Sequence, residues 1–83
     1  MSNAQNVLLN LHTVLSRLPV SFRERVCEEC NWSVPTFYRK MRLKDKKEEG
    51  KMVYALSNAE QAMIVKVLQE VYAALEEELE PYK

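Results

Sequence analysis

A single glycine, Gly50, constrains this sequence more than any other feature. Tight turns between strands draw on positive-φ positions, which glycine supplies at no steric cost. A sheet-rich domain of 83 residues needs several such turns, and three prolines do not replace them. The chain therefore has to do most of its folding in helices.

The apolar residues agree. Val7, Leu8, Leu11, Val14, Leu15 and Leu18 follow three-four spacing and predict a helix from about Asn6 to Leu18. Pro19 biases the residue before it away from the helical region and marks a stop. Ser21 and Glu24 then form the pattern of a capping box, opening a second helix. Phe22, Val26 and Cys30 line one face of it, and Asn31 suits the left-handed residue that ends many helices. Ser33 is the next N-cap, with Val34 and Pro35 in the first turn and Trp32 and Phe37 spaced as a hydrophobic staple. Phe37 and Met41, four apart, are both expected in the core. Only Asn31 and Trp32 separate the two helices, a tight helix-turn-helix over residues 21–42.

Residues 43–56 break the periodicity and read as a basic loop, with Met52 to Leu56 an alternative short strand of a two-stranded wing. Ser57 and Glu60 cap a last helix over about 57–80, broadly apolar from Ala59 to Leu79 and ended by Pro81. The expected architecture is one all-α domain over 1–83, with four to five helices and a long C-terminal helix.

The stretch Arg23 to Arg42 resembles the helix-turn-helix of phage-repressor and Cro-like regulators and of resolvase-type DNA-binding domains. Val26 and Cys27, the turn Cys30-Asn31-Trp32-Ser33, and Thr36-Phe37 carry the likeness. Small Cys27 fits where two helices cross closely, and Asn31 stands where the family usually has glycine. Lys40 departs from a position that is often apolar. The resemblance implies that the second helix of the motif reads bases in the major groove through its N-terminal residues.

The charge pattern supports that expectation. The net charge of zero divides into +4 over residues 1–51 and −4 over residues 52–83. Between Arg39 and Lys47 stand six basic residues and one acid. Pro35, Tyr38, Arg39 and Arg42 fall on the outer face of the 33–42 helix and are the expected base readers. Ser21, Arg23, Ser33, Thr36, Lys40, Lys44, Lys46 and Lys47 are the expected phosphate contacts. Ile64, Leu68, Val71, Leu75 and Leu79 offer surplus apolar surface on the last helix, expected to pair two copies. The sequence thus predicts a sequence-specific, homodimeric regulator bound to double-stranded DNA. A helical protein-interaction module docking through its C-terminal helix is the alternative.

Other classes fit poorly. There is no long apolar run for a membrane span and no leader pattern, so a cytoplasmic protein is expected. Cys27-x-x-Cys30 lies late in a helix, and only His12 could join it, so neither a zinc site nor a redox pair is expected. One histidine and no phosphate loop argue against an enzyme, a cofactor or a small-molecule ligand.

Overall fold

The computed structural model describes residues 6–83, so Met1 to Gln5 of the expected domain lie outside the described residues. Three helices, α1 (Val7–Cys30), α2 (Val34–Arg42) and α3 (Asn58–Leu79), carry the fold. A hairpin of β1 (Lys46–Glu48) and β2 (Lys51–Val53) joins α2 to α3, and a 3-10 turn, Glu80–Tyr82, closes the chain. The protein is mostly helical, but four to five helices do not form.

The missing boundary is at Pro19. The two helices expected on either side of it are one continuous α1, opened by the Asn6 carboxamide, which accepts from the N–H groups of Leu8 (2.7 Å) and Leu9 (3.3 Å). Proline inside a helix leaves the carbonyl four residues earlier without its donor. Here that residue is Leu15, which is exposed, so water can satisfy the freed oxygen. The Ser21–Glu24 capping box does not form, because neither residue stands at a helix start.

Continuity lets α1 run antiparallel along all of α3. Val26 meets Val67 near one end, Arg25 pairs with Glu70 farther along, and the Asn10 carboxamide donates to the Tyr82 hydroxyl at the other end (3.4 Å). The buried core is small: Val26, Phe37, Val67 and Val71, with Phe22, Trp32, Met63 and Ile64 packed against it. Each helix contributes, and Phe37 meets Phe22 edge-on at 6.5 Å.

Three local expectations hold. Asn31 is left-handed (φ 57°, ψ 46°), and the Trp32 N–H donates to the Cys27 carbonyl at 2.8 Å, closing α1. The Ser33 hydroxyl accepts from the Thr36 N–H (3.2 Å) and caps α2. Ser57 and Glu60 satisfy each other's backbone N–H at 3.0 and 2.9 Å.

The charged run expected as a loop is instead the first strand of the wing, and the second strand is Lys51–Val53 rather than Met52–Leu56. Lys46 pairs with Val53, Lys47 with Met52 and Glu48 with Lys51. The turn is Glu49-Gly50, both at positive φ (51° and 80°), the geometry of a two-residue hairpin whose twist matches its strands. All six strand residues are exposed, and the Asp45 carboxylate accepts from the Ala55 N–H (2.9 Å) at the base.

Candidate nucleic-acid interface

Helix α2 turns Phe37 into the core and leaves Pro35, Tyr38, Arg39 and Arg42 exposed on its outer side. The amphipathic spacing explains this, since one buried aromatic per two turns is all that so short a helix needs. Met41, expected beside Phe37 in the core, is 64% exposed. Met41 instead borders an apolar hollow with Phe22, Phe37, Leu56 and Ile64 and keeps most of its surface open.

Lys40 takes the inward position in its place. Its ammonium lies 5.7 Å from the centre of the Trp32 ring and 3.8 Å from the Glu60 carboxylate, joining α2 to the cap of α3. A long aliphatic stem with a satisfied cation can replace an apolar residue at such a site. Lys40 is therefore committed within the chain rather than offered to a phosphate.

The two expected contacts on α1 part company. Two residues apart on a helix are about 200° apart around its axis, so Ser21 and Arg23 face different neighbours. Ser21 borders a groove against α3, with Arg17, Arg25, Glu70 and Glu78, away from α2. Arg23 reaches α2, where its Nη1 donates to the Tyr38 hydroxyl at 3.1 Å. That bond raises the already high pKa of the guanidinium and fixes the direction of the Tyr38 ring, which also stands edge-on to Phe37 at 5.3 Å. Arg23 thus positions an expected base reader. The Ser33 hydroxyl, besides capping, donates to the Thr36 hydroxyl (2.9 Å), so both polar groups sit together at the N-terminus of α2.

The hairpin divides the basic stripe. Opposite residues of an antiparallel pair share a face and successive residues alternate, so Lys46 and Lys47 point to opposite sides. Lys46 lies 3.1 Å from Glu48, an exposed pair of little energetic weight. Arg39, Arg42, Lys44, Lys47 and Lys51 form no ion pair among the described residues, with Lys51 on the Lys46 side of the hairpin and Lys47 on the other. Two acids of α3 are held elsewhere: Arg25 takes Glu70, and Lys83 takes Glu76 at 2.9 Å. These partners hold both carboxyls below the usual glutamate range.

The cysteines pack. Both are half-buried free thiols against the core, and burial pushes Cys30 up, with the Glu60 charge adding to the effect. Such a thiol is protonated near neutral pH and is a poor nucleophile. Among the described residues no group of three or more His, Cys, Asp or Glu is placed to hold a metal, and no helix is long and apolar enough to cross a membrane.

The expected association residues divide as well. Val71 is buried in the core and Ile64 packs against it, because the continuous α1 covers that side of α3. Leu75 and Leu79 are half-buried and Leu68 is exposed. Val65 and Tyr72, which the apolar stripe did not single out for pairing, are exposed beside Leu68; a three-four spacing starting at Val65 is the signal that finds them. Compared with protein-family models, curated proteins and solved structures, the chain matches none.

Proposed function

We propose that this chain is a sequence-specific DNA-binding protein, a non-enzymatic cytoplasmic regulator of transcription that acts as a homodimer. Helix α2 enters the major groove with Tyr38, Arg39 and Arg42 toward base edges. The β1–β2 hairpin lies against the backbone beside it. The observation that carries this reading is the outer side of α2: two unpaired arginines and an oriented tyrosine, followed in the chain by an exposed hairpin with one unpaired lysine on each side. Arginine pairs bidentately with guanine, and tyrosine reaches phosphates or base edges.

The test is selection of bound sequences from random duplex DNA, followed by titration at graded salt. If the unpaired cations Arg39, Arg42, Lys44 and Lys47 each displace one counterion from the DNA, log K falls with log salt at a slope of about −3 to −4 per chain. Arg39→Ala relaxes base preference, whereas Lys47→Ala weakens all sequences alike and flattens the slope by about one. No enriched sequence together with salt-independent binding refutes the reading.

A further inference from the structure

The α1–α3 pair leaves one long side uncovered. Leu15, Pro19 and Phe22 of α1 and Leu68, Tyr72 and Leu75 of α3 border an apolar groove of about 480 Å³. Val65, Leu68, Gln69 and Tyr72 border a second hollow of about 390 Å³ beside it. No charged residue lines either one. Leu15, Leu68 and Val65 are each 55% exposed and Tyr72 60%.

Three observations identify what covers this side. First, the accessible surface is 6647 Å², against about 5,100 Å² expected for a compact monomer of 9.7 kDa. The excess of about 1,500 Å² exceeds the roughly 800 Å² each partner gives up in a stable complex. Second, the shape is a rod, 63 × 22 × 19 Å, with a radius of gyration of 17.5 Å where about 12 Å is usual for this length. Third, Val65, Leu68, Tyr72, Leu75 and Leu79 repeat at three-four-three-four spacing, the seam along which two helices pack. Reversed, the series reads four-three-four-three, within one residue of itself about Tyr72, and it keeps aliphatic residues on both sides of that ring, so one copy turned end for end can meet another. Leu8, Leu11, Leu15, Leu18 and Phe22 repeat the same spacing on α1.

We propose that a second copy of this chain closes the groove, two α1–α3 pairs forming an antiparallel four-helix bundle with its two-fold axis near Tyr72. Leu68 of one copy meets Leu75 of the other, and Val65 meets Leu79. The Tyr72 hydroxyl, 3.1 Å from the Glu76 carboxylate of its own helix, keeps a polar partner while the ring packs.

The arrangement also sets the distance between the two DNA-reading helices, a consequence that rests on the function proposed above. Lys40 reaches Glu60, and Phe37 and Ile64 share a cavity, so α2 sits at the level of residues 60–64 of α3. Those residues lie eight to twelve positions from Tyr72, about 12–18 Å along the helix. Doubling across the axis separates the two α2 helices by about 24–36 Å, a range that includes one turn of DNA, about 34 Å.

Sedimentation equilibrium of the full chain from about 1 to 100 μM tests the proposal. Wild type is expected at twice 9.7 kDa at the upper concentrations, and its melting temperature rises with concentration. Leu68→Glu and Tyr72→Glu are expected to shift association by at least tenfold toward monomer, whereas Ala73→Glu, exposed off the seam, leaves it unchanged. If the seam variants lose helicity, the concentration dependence of wild-type melting decides. A p-benzoylphenylalanine photo-crosslinker at position 72 is expected to attach to residues 68–76 of a second copy. A helical monomer at every concentration, a trimer or larger, or crosslinks within one chain only overturns the proposal. A monomer that still selects DNA overturns the pairing alone, and a dimer that ignores DNA overturns the function alone.

Discussion

Replacing Pro19 by alanine tests the feature on which the architecture turns, the continuity of α1. In an exposed helix interior proline is about 3 kcal/mol less favourable than alanine, from the lost hydrogen bond and the clash with the preceding turn. Pro19 and Leu15 are exposed in the single chain, so hydration of the Leu15 carbonyl relieves part of that cost there, although both residues border the groove proposed to close on association. Pro19→Ala is therefore expected to stabilise the protein by about 1–3 kcal/mol. A domain of 60–100 residues gains about 4–8 °C in melting temperature per kcal/mol, so even the lower bound is measurable. The assay is thermal and urea denaturation followed by circular dichroism at one fixed protein concentration, since the proposed association would also move the midpoint. Ser21→Ala is the companion. Had a helix started at Ser21, that change would cost about 1 kcal/mol by loss of the cap. Inside a continuous helix, serine to alanine is neutral or slightly stabilising. A neutral or destabilising Pro19→Ala combined with a costly Ser21→Ala would refute a single α1.

Three further outcomes follow from contacts in the fold. Phe37→Ala is expected to cost about 3–5 kcal/mol and to leave little cooperative unfolding, whereas Met41→Ala, 64% exposed, costs less than about 0.5 kcal/mol in the same denaturation series. Glu49 holds φ 51°, so Glu49→Asn is expected to stabilise the hairpin by about 0.5–1 kcal/mol. This should read as slower amide exchange over residues 46–53 with the global midpoint unchanged, because the exposed hairpin is peripheral to the core. Arg25 holds the Glu70 carboxyl below its ordinary value, so its contribution is present above about pH 4.3, the unfolded-state value, and is lost as pH falls through the folded one. Glu70→Gln is expected to flatten the acid limb of stability against pH, and an unchanged limb would remove Arg25–Glu70 from that account.

The local chemistry was the legible part. Ser33, Ser57 and Glu60, unlike Ser21 and Glu24 with the same spacing inside a continuous helix, cap as their spacing suggests, because capping bonds close within three residues wherever a helix starts there. Asn31 turns left-handed for the same reason. The hairpin was harder to see. Glu is an unusual residue for positive φ, so Glu49-Gly50 within a charged run carried a weak turn signal. Met41 and Lys40 exchanged expected roles because periodicity gives a direction around a helix but not the partners, here Trp32 and Glu60, that draw Lys40 inward.

By itself the sequence determined the helical class, the caps that open α2 and α3, the arginine-bearing face of α2 and the uneven charge that sets it apart from α3. Those follow from side chains interacting with nearby backbone and from the 3.6-residue period. Tertiary structure alone decided whether Pro19 breaks the first helix. A proline's local cost of a few kcal/mol is set against the packing of α1 along α3, and only the assembled fold contains that second quantity. The same packing decided which stripe of α3 is core and which is free: α1 covers Val67 and Val71 and leaves Val65, Leu68 and Tyr72 exposed.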